Sequence, residues 1–277
     1  MTQISLGFST CPNDTFIFDA MVHNKIDTEG LKFDVILADV EELNQMAFNA
    51  DLDVTKLSYH AYAHLWEKYQ ILNSGSALGR NNGPILISKK KIYPDELNDV
   101  KIAIPGQNTT ANLLFSIAFP EAKNKYEYLF SDIESAIQDS EVDAGLIIHE
   151  TRFTYEQSGL HKIVDLGEFW EDSTKSPIPL GGIVVKRSID QETQLKIDRV
   201  LKRSIEFAFK NPSSSVEYMK SYAQSMAEEV MKKHIALYVN DFSFNLGTEG
   251  RKAIDFLYKE AFSKKLIKAL PENKYVD

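Results

Sequence analysis

The 277-residue chain has a single cysteine, Cys11, so no disulfide can form within it. That usage fits a reducing compartment. No P-loop, Gly-x-Gly-x-x-Gly or Gly-x-Ser-x-Gly occurs, which removes the main warrant for a nucleotide-binding or serine-hydrolase reading. His-Glu-x-x-His is missing as well. His60 and His64 stand four apart on a predicted helix without a clustered third ligand, so no metal site is expected. Positive charge is in deficit, with 31 Lys and Arg against 40 Asp and Glu, a formal net charge of −9 and no long basic block. Nucleic-acid backbones and anionic membrane surfaces are therefore not expected partners. Lys89-Lys90-Lys91 reads as a solvated turn. No apolar run approaches the length of a membrane span, and the first nine residues carry neither a basic n-region nor an h-region. A soluble, cytoplasmic protein is the expectation.

What is present suffices for a core: 43% hydrophobic and 11% aromatic residues. The length allows one large or two medium domains. Strand, turn and helix alternate from the start. Ile4–Ser9 reads as a strand, Cys11-Pro12-Asn13-Asp14 as a turn, and residues 15 to 23 as a helix. Leu31–Ala38 and Asp53–Ser58 are further strands, with Val40–Asn49 a short amphipathic helix between them. This rhythm predicts an α/β protein with a largely parallel sheet. After a turn-rich stretch and the strand Ile85–Ser88, it restarts at Lys101–Pro105, with a helix from about Thr110 to Phe119. A strand over Tyr126–Phe130, a helix over Asp132–Gln138, the buried strand Ala144–Ile148 and a strand over residues 162 to 167 follow.

Gly83–Lys90 and Pro179–Arg187 are both Gly/Pro-led β runs closed by basic residues. They predict two adjacent crossover strands between two lobes. Lobe I then comprises residues 1–88 and 184–277, and lobe II residues 89–183. From Asp190 onward the chain reads as helical. Ile197, Val200, Leu201, Ser204, Ile205 and Ala208 form one stripe, and Ala253, Leu257 and Ala261, with Ile254 and Phe256, another. Both are core-packing faces.

In an open α/β sheet, ligands bind beyond the carboxyl ends of the strands. His149 follows directly on the apolar run Ala144–Ile148 and would sit there. Its imidazole can take and return a proton near neutral pH, although a strand-end histidine can equally be satisfied by a backbone carbonyl. Glu150, pointing to the opposite face of a strand, is a poor substitute base. Ser58 ends another strand, and Thr109 and Thr110 precede a helix, where hydroxyls and free N–H groups suit an anion. Thr109 or Thr110 can also serve simply as an N-cap. Cys11 lies at a strand-to-helix turn, where such a residue usually packs.

Ser9–Phe16, Thr55-Lys56-Leu57-Ser58-Tyr59, Ala77-Leu78-Gly79-Arg80, Thr109-Thr110-Ala111, Ala144–Glu150 and the Tyr238–Ser243 segment together resemble the 1,4-dihydroxy-6-naphthoate synthase family of the futalosine route to menaquinone. The resemblance runs over essentially the whole chain. It implies a two-lobed periplasmic-binding-protein-like (type II) fold with two crossover segments and C-terminal helices. It implies a carbon–carbon lyase that converts cyclic dehypoxanthinyl futalosine to 1,4-dihydroxy-6-naphthoate and dihydroxyacetone, with no cofactor. It places the proton acceptor on His149 and the substrate contacts on Lys56, Leu57, Ser58, Thr109 and Thr110, with Asn13, Asp14 and Arg80 as further candidates. Thr10 stands where relatives often carry Pro, which removes a φ restraint at that turn. The expected partner is a small carboxylate, and a homodimer is allowed. The alternatives are the chorismate dehydratase of the same pathway, which would not be expected to carry the Cys-Pro-Asn-Asp turn or the Ile-Ile-His-Glu strand end, and a non-catalytic cytosolic carboxylate-binding protein.

Overall fold

The computed structural model describes residues 2–223 and 227–277. Its strands in chain order are β1 (Thr2–Phe8), β2 (Leu31–Leu37), β3 (Val54–Ser58), β4 (Tyr69–Ile71), β5 (Ala77–Gly79), β6 (Ile85–Ser88), β7 (Ile102–Ile104), β8 (Lys125–Glu127), β9 (Ala144–Ile147), β10 (His161–Asp165) and β11 (Ile178–Lys186). They form two sheets. The first runs β2-β1-β3-β11-β4, with β5 also paired to β11, and the second runs β10-β6-β9-β7-β8. β1 is parallel to β2 and β3, and β7 is parallel to β8 and β9. β11 lies antiparallel to β3, β4 and β5, and β6 antiparallel to β9 and β10.

The sequence pattern explains which strands are central. All five residues of β3 and all four of β6 and of β9 are buried, as expected for strands covered on both faces. β2 at an edge is largely exposed. The predicted C-terminal stripes are the buried faces of the helices Gln191–Lys210 and Gly247–Ser263. The first packs against the helix Pro12–Val22, where the Ser204 hydroxyl donates to the Ile17 carbonyl at 2.6 Å. The helical reading from Asp190 also spans residues 224–226, which lie outside the described residues. No helix among the described residues is long and apolar enough to cross a membrane.

Four expectations need correction. The runs at residues 84 to 88 and 182 to 186 do not lie side by side as linkers: Ile85–Ser88 is a strand of the second sheet, and Ile178–Lys186 is a strand of the first. Both are nearly all buried, and a buried backbone must pair, so neither run can serve as a free connector. The chain instead passes between sheets at residues 80–84 and through the helix Leu166–Thr174 with the short link to Ile178. Leu166 and Gly167, expected to close the strand of residues 162 to 167, instead begin that helix. Asp165 caps it by accepting from Gly167 N and Glu168 N at 2.7 and 3.2 Å. Residues 128 to 130 leave the strand Lys125–Glu127, and Phe130 begins a 3-10 turn. Pro12 starts the first helix, which takes in Asn13 and Asp14, because proline's fixed φ suits the first helical position.

Candidate functional site

The carboxyl ends of the parallel strands converge on one cleft. β1 leads to Asn13, β3 ends at Ser58, β7 leads to Thr109 and Thr110, and β9 ends just before His149. These residues line it with Val40, Lys56, Leu57, Ala77, Asn82, Pro84, Ala111, Ile148, Leu180, Gly181 and Tyr238, around roughly 600 Å³ of empty space including the open mouth. Its lining, mostly apolar with a few convergent polar groups, is of the kind that binds a small organic molecule.

Lys56 lies in the middle of β3 and is only 7% exposed. Its ammonium is paired with the Asp14 carboxylate, which is fully buried. Asp14 also accepts from Ser9 N (3.1 Å), Ser9 Oγ (2.7 Å) and Asn13 Nδ2 (2.7 Å). A charge pair held out of water needs its polar groups satisfied, and the Asp14 carboxylate has its lone pairs filled. Asp14 itself stands behind the wall of the cleft, where it positions Lys56 and Asn13. The neighbouring Cys11 thiol is buried and its pKa is pushed far up, first by burial and then by Glu150, so it stays protonated and inert.

His149 follows β9 in a left-handed backbone conformation, φ 60°, at the start of a 3-10 turn. For a residue with a Cβ such a conformation costs roughly 1–3 kcal/mol and is found preferentially at functional sites. The edge of the ring meets Phe130, with centroids 5.1 Å apart. Burial, and next the Lys56 ammonium, lower its pKa to about 4, with Asp14 opposing. The imidazole is therefore neutral at physiological pH, and its Nε2 has no hydrogen-bond partner among the described residues.

The hydroxyls are not equivalent. Ser58 Oγ accepts from Asn44 Nδ2 at 3.3 Å, which leaves its own proton for a ligand. Thr109 caps the helix Thr110–Ala118: its Oγ1 donates to the Gly106 carbonyl at 2.8 Å and accepts from Asn112 N at 3.3 Å. Thr110 Oγ1 donates to the Leu180 carbonyl on β11 at 2.5 Å and accepts from His60 N at 3.3 Å. Both threonine protons are thus committed, and Thr110 ties the two halves of the cleft together. What remains at this helix start is backbone, since the first N–H groups of a helix have no intrahelical acceptor. Those of Thr110 and Ala111 belong to residues that line the cleft.

The structure therefore brings His149, Lys56, Leu57, Ser58, Thr109, Thr110 and Asn13 together. Arg80 is not among them. It is half exposed and lies between Glu171 (3.7 Å) and Glu249 (3.6 Å), outside the cleft. His60 and His64 have ring centroids 5.5 Å apart, and no group of three potential metal ligands exists among the described residues. Glu150 is half-buried, with its carboxyl pKa raised by burial, and does not line the cleft.

Three residues escaped the sequence reading as individuals. Asn82 looked like turn punctuation within Asn-Asn-Gly-Pro. Tyr238 was noticed only as part of a segment; its phenol is pushed up to about 12 by burial. His234 is completely buried with both ring nitrogens unpaired among the described residues, and its ring centroid lies 6.1 Å from that of His149. It sits on the apolar face of the helix Glu228–Tyr238 with Met231, and a lone histidine on such a face gives no distinguishing signal in one sequence.

Residues 4–263 match the family model described as menaquinone biosynthesis. A protein of Thermus thermophilus named 1,4-dihydroxy-6-naphtoate synthase is 39% identical over 276 residues, covering all of both chains. A solved structure from Archaeoglobus fulgidus, 38% identical, superposes with a TM-score of 0.91 over 96% of this chain and 98% of that one. The alkanesulfonate-binding protein SsuA of Xanthomonas axonopodis pv. citri shares the architecture at 11% identity, with a TM-score of 0.73 over 98% and 96% of the two chains, which shows a periplasmic-binding-protein-like fold. With full-length identity at this level and a family model matched over nearly its whole length, the chain belongs to the 1,4-dihydroxy-6-naphthoate synthase family of menaquinone biosynthesis.

Proposed function

We propose that this protein is a lyase that converts cyclic dehypoxanthinyl futalosine to 1,4-dihydroxy-6-naphthoate and dihydroxyacetone, with His149 as the general base. The observation that carries the reading is the neutral, unpartnered Nε2 of His149, a residue lining a cleft that also presents the N–H donors of a helix start. The reaction breaks a carbon–carbon bond as an aromatic ring forms, so a proton must leave carbon while dihydroxyacetone departs. All atoms of the two products come from the one substrate, and the stoichiometry calls for neither a redox cofactor nor a metal. A base that is uncharged at neutral pH can take that proton and return it to the departing fragment.

The substrate carboxylate fits the Thr110 and Ala111 N–H groups and the Ser58 hydroxyl, with the Lys56 ammonium adding positive potential from β3. In this arrangement Thr109 and Thr110 orient the helix and the lobes through their hydroxyls and contact the ligand through backbone. Leu57, Leu180 and Ile148 supply apolar walls for the ring system. The single buried and reduced cysteine is consistent with the cytoplasm as the protein's compartment.

The deciding experiment is turnover of cyclic dehypoxanthinyl futalosine by the purified protein, with chorismate offered in parallel. Formation of 1,4-dihydroxy-6-naphthoate together with an equal amount of dihydroxyacetone is expected. Dehydration of chorismate instead, or tight binding of the substrate without any product, would overturn the reading.

A further inference from the structure

We propose that Asn82 is a specificity residue whose side-chain amide reads an uncharged, hydroxyl-bearing part of the ligand. This rests on the reaction assigned above.

Asn82 lines the cleft and is 1% exposed, yet neither Nδ2 nor Oδ1 has a hydrogen-bond partner among the described residues. A buried amide normally finds partners for both groups. Its orientation comes from the backbone on either side. Asn81, in the left-handed region at φ 58°, donates its N–H to Glu171 Oε1 at 2.6 Å. The Gly83 carbonyl accepts from Arg152 Nη1, and Arg152 is in turn held by Asp165 at 3.0 Å. A Cβ at Gly83 would collide with the backbone of Gly167, and one at Gly79 would come within 2.9 Å of Asn82 Nδ2. The loop is thus anchored on both sides while the amide it presents is left unsatisfied. Such a group is prepared for a ligand.

Hydrogen-bond chemistry then selects the ligand group. An amide with both a donor and an acceptor free is matched by a group that can accept and donate, which is a hydroxyl. A carboxylate only accepts, so it would satisfy Nδ2 and repel Oδ1. Asn13 Oδ1, also lining the cleft, is a second buried acceptor without a partner among the described residues, and it too calls for a donor from the ligand. The cleft therefore offers N–H groups for an anion and unsatisfied amide groups for a polyol-like fragment, with His149 lining the same cleft.

The test compares Asn82→Leu, an apolar near-isostere, with the wild-type protein by thermal unfolding without ligand, by calorimetric titration with 2-naphthoate, and by steady-state turnover of cyclic dehypoxanthinyl futalosine. 2-Naphthoate keeps the carboxylate and ring but has no hydroxyl. The expected result is an unchanged or raised Tm, an unchanged Kd for 2-naphthoate, and a kcat/KM lowered by about 10- to 100-fold. A lowered Tm with both ligands lost would show a structural role and overturn the proposal, as would unchanged turnover. Should Asn82→Leu fail to fold, Asn82→Asp carries the comparison, and near wild-type turnover by it is equally fatal. A wild-type protein that binds 2-naphthoate but never turns over the substrate would refute the reaction and leave Asn82 to the unfolding comparison, in which a destabilised Asn82→Leu overturns the assignment.

Discussion

Burial does two things to His149. It keeps the imidazole neutral down to about pH 4, so the ring can accept a proton throughout the physiological range, and it holds that ring beside Lys56, the second cause of the lowered pKa. For the proposed chemistry, replacing His149 by Asn keeps the size and some hydrogen bonding but removes the proton acceptor. We expect kcat to fall by about 10²–10⁴ with substrate binding retained, measured by steady-state kinetics alongside equilibrium titration. In the wild-type protein kcat should hold steady from pH 7.5 to about 5 and fall as pH drops through about 4, where the ring takes a proton. An acid limb centred near the ordinary histidine pKa of about 6.5 would assign the titration to a different group.

The strand pair β3–β11 carries more of the site than any other element. β3 supplies Lys56, Leu57 and Ser58, and Gly181 of β11 stands opposite Ser58 in the antiparallel register. A Cβ at Gly181 would lie 2.6 Å from the Leu57 carbonyl oxygen, which is backbone and cannot swing aside. Gly181→Ala must therefore push the two strands apart. Overpacking of this kind costs about 1–3 kcal/mol, and here it would also displace Ser58. A lower Tm together with a raised KM is expected; a lower Tm with unchanged KM would separate this strand pair from ligand binding. The helix Thr110–Ala118 contributes through its start. The Thr109 side chain is taken up as the cap, so the hydroxyl visible in the sequence acts on the helix, and the adjacent N–H groups are the ones proposed to meet the ligand.

The two sheets meet across the cleft through polar contacts as well as through Thr110. Glu41, on the helix Val40–Phe48 of the first half, accepts from Asn108 Nδ2 of the second at 2.9 Å. It also accepts from Asn44 Nδ2 at 3.0 Å, and Asn44 in turn holds Ser58. The contact between the two sheets is thereby linked to the carboxylate subsite proposed above. A net hydrogen-bond contribution of about 0.5–1.5 kcal/mol implies that Asn108→Ala raises KM about 2- to 12-fold, with a larger radius of gyration in solution scattering of the ligand-free protein. No change in either quantity would remove this contact from the closure equilibrium.

Acid stability is a property of the whole molecule, because three histidines, His234 buried and His60 and His149 half-buried, share its sign. His60 and His149 are lowered to about 4, and His234 well below its usual value, burial being the first cause in each. The unfolded chain binds these protons from about pH 6.5 downward, whereas the native state does not. Stability should therefore fall as pH drops from about 6.5 toward 4. A Tm profile across that window checks it, and His234→Gln should make the profile shallower; an equally steep profile in that variant would exclude His234 as a contributor.

The alternation of apolar strands, helix starts and turns is local in sequence, so the α/β rhythm, most strand positions and the C-terminal stripes could be read directly. His149 and Ser58 were legible for the same reason: a polar residue closing an apolar run lies at a strand end, where such folds bind ligands. Sheet membership was not legible. Ile85–Ser88 and Pro179–Lys186 look alike as strings, and only hydrogen-bond pairing over long separations sends one to each sheet. The helix after Asp165 did leave a local trace, an acidic cap with Glu168 three residues on, that competed with the apolar run before it. Partnership was wholly tertiary. Arg80 turned away because Glu171 and Glu249, remote in sequence, lie beside it, and Asn82 became a cleft residue because Arg152, Gly167 and Glu171 anchor a loop that by composition is only a turn. Composition and periodicity record what a residue can do; which donors and acceptors remain unpaired depends on neighbours that folding brings from elsewhere in the chain.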